Sequence, residues 1–152
     1  MTTHPQIEWG IGIISEKIID RINILEATKL AIAAAVHDLQ KKLGKAPDIL
    51  LLDGNFTVDV PIAQKTFVKG DTFIFSCSAA SIIAKVTRDR LMKQYHSKYP
   101  AYRFDSHKGY GTKLHYEMLN TYGPCPLHRK TFRPVYQLLN NLENPDIVKK
   151  HS

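Results

Sequence analysis

The six residues Asp48 to Asp53, DILLLD, constrain the fold of this chain more than any others. A short continuous apolar run bounded by acids, with no alternation, suits a strand buried on both faces of a parallel sheet. Asp53 then stands at the strand's C-terminal end, with Gly54 after it. In open α/β sheets ligands bind at that edge, because the loops leaving the strand ends form a crevice there. Asp53 is therefore a site carboxylate or the start of an ordinary Asp-Gly turn, and local sequence does not separate the two.

The preceding segment supplies a helix. Asn23 can cap it, Glu26 can reach back to the cap amide, and the helix runs from Ile24 to Leu43. Thr28, Ile32, Ala35, Leu39 and Leu43 form its expected buried stripe, and Gly44 and Pro47 stop it. His37 and Asp38 lie off the stripe and read as solvated. Upstream, Glu8 to Ile14, EWGIGII, suits a strand. A strand so near the first residue implies an edge strand or a domain whose beginning is absent.

A second strand is expected at Thr66 to Val68, after a loop from Asn55 to Gln64. It leads to Lys69, Gly70 and Asp71. If the two strands share a sheet, Asp53 and Asp71 come near one hard cation; Mg²⁺ suits such a place because it takes oxygen ligands and keeps several waters. Structural acids at loop starts are the competing reading. The next helix, from about Ser76 to Tyr99 where Pro100 forbids continuation, has an apolar side of Ala79, Ile82, Ile83, Val86, Leu91 and Tyr95. Its opposite face carries Ser78, Ser81, Lys85 and Arg88, so it is a phosphate-facing helix or an ordinary amphipathic surface helix. Asp89 reads as an ion-pair acid.

Tyr99 to Lys113 interleaves cations with aromatic rings: Tyr102, Arg103, Phe104, His107, Lys108 and Tyr110. Cations neutralise phosphates, and Tyr110 between Gly109 and Gly111 can approach and stack on a base or sugar. A polar loop with buried tyrosines is the bland alternative. A helix from Thr112 to Tyr122, a small basic cluster of His128, Arg129 and Lys130, and a last helix from Pro134 to Leu142 complete the chain. One domain over 1–142 and a frayed tail over 143–152 follow. Lys plus Arg outnumber Asp plus Glu by 21 to 14, a net charge of +7, which favours a polyanionic partner. The two cysteines, Cys77 and Cys125, show no metal-ligand spacing, and no apolar run is long enough for a bilayer, so a reducing, cytoplasmic setting is expected.

Six segments in series resemble the ribonuclease HII family: INILEATKLAI from Ile22, LLLDGN from Leu50, VKGD from Val68, SAASIIAKVTRDR from Ser78, YPAYRFDSHKGYGTKLH from Tyr99 and HRKTFRP from His128. The resemblance implies an α/β, ribonuclease H-like fold, here N-terminally truncated, with a helical C-terminal part. It implies an endonuclease that uses Mg²⁺ or Mn²⁺ to hydrolyse the RNA strand of RNA/DNA hybrids, or duplex DNA at an embedded ribonucleotide, leaving 5′-phosphate and 3′-hydroxyl ends. Of the family's four metal-binding carboxylates two carry over, Asp53 and Asp71. Tyr110 would stack on the sugar at the junction, with Lys108, Lys85, Ser81, Arg88 and Arg129 as further nucleic-acid contacts.

The family's other two carboxylates form an Asp-Glu pair within an Asp-Glu-Ala-Gly-Arg-Gly segment, and these 152 residues contain no such segment. The expectation is a partial domain, inactive or impaired alone, with the Leu50 to Asp53 strand short of neighbours. A non-catalytic nucleic-acid-binding remnant is the second reading. An enzyme acting on small phosphorylated molecules is the third, weakened by the lack of a Gly-rich phosphate loop.

Overall fold

The computed structural model describes residues 7–143, which form two compact units divided between Lys85 and Val86. The division falls inside one helix, so each unit is taken by itself. The expected tail over 143–152 lies almost wholly outside the described residues.

The first unit opens on α1 (Glu16–Leu43), a helix broken at Asn23, whose φ of 68° and ψ of 171° are not helical. Asn23 is the expected cap: its Oδ1 accepts the Leu25 and Glu26 amides at 2.9 and 3.1 Å. Glu26 does not return the bond but pairs with Lys29 at 2.7 Å, which leaves the capping box half made. The turns before Asn23, from Glu16, were not evident in the sequence. Gly44, at φ 68°, ends the helix by donating to the Gln40 carbonyl.

The stripe expected on α1 holds only in its middle, where Ile32, Ala35 and Leu39 are half-buried. Ala27 and Val36 are the buried residues, whereas Thr28 and Leu43 are exposed. The cause lies in residues 8–14, which are not a strand. They run without a ladder past α1, and a Cβ on Gly12 or Gly10 would lie 1.9 Å from the Ala31 carbonyl oxygen or 2.0 Å from that of Ala35. The glycines of EWGIGII therefore serve close contact with an alanine ridge rather than strand pairing. Asp38, expected to be solvated, accepts the Ile11 amide at 3.0 Å, and Lys42 binds both Asp38 and the Trp9 carbonyl at 2.9 Å. Those bonds satisfy backbone that a neighbouring strand would otherwise have paired. Lys42 and the Ile11 amide hold the Asp38 carboxyl below its ordinary range.

Strands β1 (Ile49–Asp53) and β2 (Ala63–Phe67) pair in parallel, with Asp53 opposite Phe67. β2 begins earlier than its sequence suggested because Gln64 uses its side-chain amide as a miniature strand, bonding both the amide and the carbonyl of Val58 at 2.9 and 2.8 Å. The expectation of burial on both faces fails. Leu52 is buried, but Ile49 and Leu51 are 48% and 37% exposed on a sheet that, among the described residues, has these two strands alone. A turn of 3-10 helix (Gly70–Thr72) leads into α2 (Phe75–Lys98), where Cys77 is buried while Ile82 and Val86 of the expected apolar side stand exposed.

In the second unit α2 is followed by a 3-10 turn (Pro100–Tyr102), then by α3 (Phe104–His107), α4 (Lys113–Tyr122) and α5 (Arg133–Glu143). Tyr102 stacks on Phe104 with centroids 5.5 Å apart and donates its hydroxyl to the Gly123 carbonyl at 2.9 Å. Burial accordingly pushes the Tyr102 phenol up. Thr112 caps α4 by accepting the His115 amide, as its position predicted.

Beside this core lie His107, His115 and His128, the first two buried and stacked on each other at 4.2 Å. His128, expected in a basic cluster, is partly buried and belongs to the core. Backbone partners dictate each tautomer, because a carbonyl only accepts and an amide N–H only donates. His107 Nε2 faces the Tyr102 carbonyl at 2.6 Å and must donate, while its Nδ1 accepts the Gly109 amide at 3.1 Å. His115 Nδ1 faces the Tyr110 carbonyl at 3.0 Å and donates; its Nε2 meets His128 Nε2 at 3.1 Å. His128 Nδ1 lies 3.0 Å from the Cys125 amide and 3.3 Å from the Cys125 carbonyl; the amide hydrogen points at the ring nitrogen, so Nδ1 accepts it. The single proton between the two rings therefore sits on His128 Nε2, and all three rings are neutral. Burial, then the neighbouring His115, lowers His128 to about 4, and burial lowers His115 as well.

Two predictions follow from these contacts. Gly12→Ala must push the terminal segment off α1 and should cost about 2–3 kcal/mol in urea unfolding. For the histidines, the unfolded chain gains protons near the ordinary 6.5 while folded His128 waits until about 4. Stability is therefore full above that window and falls as the pH drops through it, by at most about 3 kcal/mol and less where water reaches the ring. Replacing His128 by Gln should flatten the dependence of denaturation midpoint on pH across that window.

Candidate metal and nucleic-acid site

The parallel register carries Asp53 and Asp71 to the same strand edge. Asp53 ends β1, and Asp71 lies in the turn that leaves the end of β2. The connection is tied directly: Asp53 Oδ1 accepts the Gly70 amide at 2.8 Å, and the Gly54 amide donates to the Phe67 carbonyl at 2.8 Å, continuing the ladder one step past the strand. Gly54 has a φ of 140°, which side-chain-bearing residues avoid, so the expected Asp-Gly turn is present at the strand end. Lys69 enters the turn in the left-handed region at φ 58°. Gly70 is buried, and a Cβ there would press on the Phe67 Cβ at 3.3 Å while only touching the Asp53 Cα and the Cys77 Sγ at 3.6 Å.

Cys77 is the residue that sequence reading missed here. It anchors the start of α2 beneath the strand end, with its thiol 3.6 Å from the Leu51 carbonyl. Burial pushes the thiol up, and the Asp53 and Asp71 carboxylates both add to that rise, so both acids act on the same sulfur. Both carboxylates are exposed to solvent. One Asp53 oxygen is committed to Gly70, and the remaining carboxylate oxygens are hard donors. That set fits a hydrated divalent ion held by one or two carboxylates together with substrate phosphates. Among the described residues no group of three or more His, Cys, Asp and Glu side chains is placed to enclose a metal.

The residues expected to meet nucleic acid fall in different places. Ser81 and Lys85 are exposed on α2 in the first unit, with the Ser81 hydroxyl turned to the Ser78 carbonyl at 3.2 Å. In the second unit Arg88, Lys108 and Tyr110 come together. The Arg88 guanidinium lies over the Tyr110 ring at 5.4 Å and donates to the Lys108 carbonyl at 3.2 Å. Lys108, partly buried and left-handed at φ 52°, turns its ammonium to the Asp105 carbonyl. Tyr110 is 52% exposed, and Gly111 admits the Tyr116 hydroxyl, which a Cβ there would approach to 2.7 Å. Arg129 packs over Phe132 at 5.3 Å. No helix among the described residues is long and apolar enough to cross a membrane.

Comparison with known proteins gives this geometry a family. The model of the family described as Ribonuclease HII matches residues 10–138. A Ribonuclease HII of Polynucleobacter necessarius is 48% identical over 134 residues, 88% of this chain and 68% of that protein. Those of Geobacter sulfurreducens and Caldanaerobacter subterraneus are 51% and 49% identical over 86% and 83% of this chain, but over 58% and 51% of their own lengths. The chain thus spans between about half and about two thirds of these curated relatives. With a family model covering most of its residues and relatives near half identity, the chain belongs to the ribonuclease HII family.

Proposed function

We propose that this chain carries the Asp53 and Asp71 part of a divalent-metal-dependent endonuclease site that acts on RNA/DNA hybrids and on duplex DNA with an embedded ribonucleotide. The observation that carries the reading is the convergence of both carboxylates at one parallel strand edge, tied by the Gly70 amide to Asp53. Mg²⁺ or Mn²⁺, when bound, supplies activation of the attacking water and stabilisation of the leaving 3′ oxygen. The chain's own share is to hold two acids rigidly. Asp53 is oriented by its backbone bond, Asp71 by the turn after β2, and Cys77 fills the space beneath them with a thiol kept protonated. On the second unit, Tyr110 offers an exposed ring for a sugar or base, with Arg88 behind it. A net charge of +7 favours encounter with the phosphate backbone.

Two carboxylates make a weaker ion site than the four that the family resemblance implies, and this supports an impaired activity for these 152 residues by themselves. A binding-only role is the second reading, and the same shortage of acids favours it. Mn²⁺ titration followed by electron paramagnetic resonance should show binding that Asp53→Asn and Asp71→Asn each weaken by about tenfold or more. On a duplex with one embedded ribonucleotide, nicking by the chain should be slower than that of a longer relative by about a hundredfold or more, and either substitution should remove what remains. Nicking that survives both substitutions overturns the assignment of these acids. Salt-sensitive binding that Asp53→Asn leaves unchanged, with no nick in either metal, gives the binding-only reading.

A further inference from the structure

We infer that His115, backed by His128 and stacked on His107, is a positioning residue for Tyr110: the neutral histidine network sets the loop that presents this ring to nucleic acid. The inference deepens the function proposed above and rests on its reading of Tyr110 as a nucleic-acid contact.

The loop has little regular structure to hold it. Between α3 and α4 it passes through left-handed Lys108 and Gly109, at φ 52° and 78°. Its backbone groups go instead to histidines. The Gly109 amide donates to His107 Nδ1 at 3.1 Å, and the Tyr110 amide to the His107 carbonyl at 2.8 Å. The Tyr110 carbonyl accepts from the Thr112 amide at 2.8 Å and from His115 Nδ1 at 3.0 Å. His115 can give that proton while neutral only if its Nε2 is an acceptor. His128 Nε2, 3.1 Å away, supplies the matching donor because its own Nδ1 is occupied by the Cys125 amide. A chain of hydrogen bonds thus runs from the Cys125 amide through two rings to the Tyr110 carbonyl, its direction set by the amide donor at one end and the carbonyl acceptor at the other. Arg88 lies over the Tyr110 ring, which stays 52% exposed, and donates to the Lys108 carbonyl. None of the three histidines has a ring nitrogen left for substrate chemistry, which is why their role is to hold the loop.

The unmodified 152-residue chain tests the wiring first. Long-range nitrogen–proton correlation of its imidazoles should show His115 protonated at Nδ1, with His107 and His128 protonated at Nε2; His115 protonated at Nε2 overturns the inference. The second test measures affinity for a fluorescein-labelled RNA/DNA hybrid in EDTA. Tyr110→Ala should weaken binding about tenfold, the scale of one lost stacking contact. His115→Leu, which cannot donate, should weaken it about threefold to tenfold but add nothing in the Tyr110→Ala background, because it acts through that ring. His115→Gln, with one donor and one acceptor, should recover affinity to within about twofold of the unmodified chain. Additive losses, or His115→Leu binding as well as the unmodified chain while Tyr110→Ala does not, overturn the inference. Should His115→Leu fail to fold, His115→Gln and the tautomer measurement still decide. If Tyr110→Ala leaves affinity unchanged while His115→Leu shifts the Gly109 and Tyr110 amide resonances, positioning of the loop stands and the nucleic-acid role of Tyr110 falls.

Discussion

The parallel pairing of β1 with β2 is the constraint on which the acidic site depends. Without that ladder, Asp53 and Asp71 are two acids in separate loops. With it, the end of one strand faces the end of the next, and the Gly70 amide reaches the Asp53 carboxylate at 2.8 Å. The pairing in turn needs Gly54, whose φ of 140° lets the chain leave β1 while still donating to Phe67, and Gly70, where a Cβ would press on the Phe67 Cβ at 3.3 Å. A substitution at any of these positions therefore moves carboxylates that it does not touch.

The legible parts of the fold were those governed by local chemistry. Asn23 as a cap, Gly44 and Gly123 as stops, Thr112 as the cap of α4 and the DILLLD strand are all decided within a few residues, and the structure has each of them. The illegible parts depend on what packs where. EWGIGII carries a strand's composition, yet its glycines meet α1 backbone within about two ångström of where a Cβ would stand, and no property of the segment alone reveals that. On α1 that contact falls on Ala31 and Ala35, of which only Ala35 belongs to the expected stripe, while the ends of the stripe, Thr28 and Leu43, stand exposed.

Asp53 and Asp71 were singled out in the sequence because each follows an expected strand, and the structure has Asp53 at the end of β1 and Asp71 in the turn after β2. Their common neighbour Cys77 was not, because one cysteine in a helix start carries no spacing signal. The histidines were misread differently. His128 adjoins Arg129 and Lys130 and so joins a basic cluster on paper, but its ring turns inward to His115 while Arg129 packs on Phe132. Spacing among His107, His115 and His128 follows no metal pattern; what unites them is that each faces a backbone group outside α3 and α4, at Tyr102, Tyr110 and Cys125.

That accounting also separates a structural histidine cluster from a metal centre. A ligating imidazole must present an unprotonated nitrogen to the ion, and its other nitrogen is normally tied to a carbonyl or carboxylate. Here the unprotonated nitrogens of His107 and His128 are filled by the Gly109 and Cys125 amides, and that of His115 by the His128 N–H. Binding an ion would strand a buried amide or displace a ring proton, at a cost of about 1–3 kcal/mol for each donor left unpaired. Asp53 and Asp71 of the first unit, by contrast, are exposed to solvent. The imidazoles of the second unit meet backbone groups instead, His107 and His115 in the loop that carries half-exposed Tyr110 and His128 at Cys125.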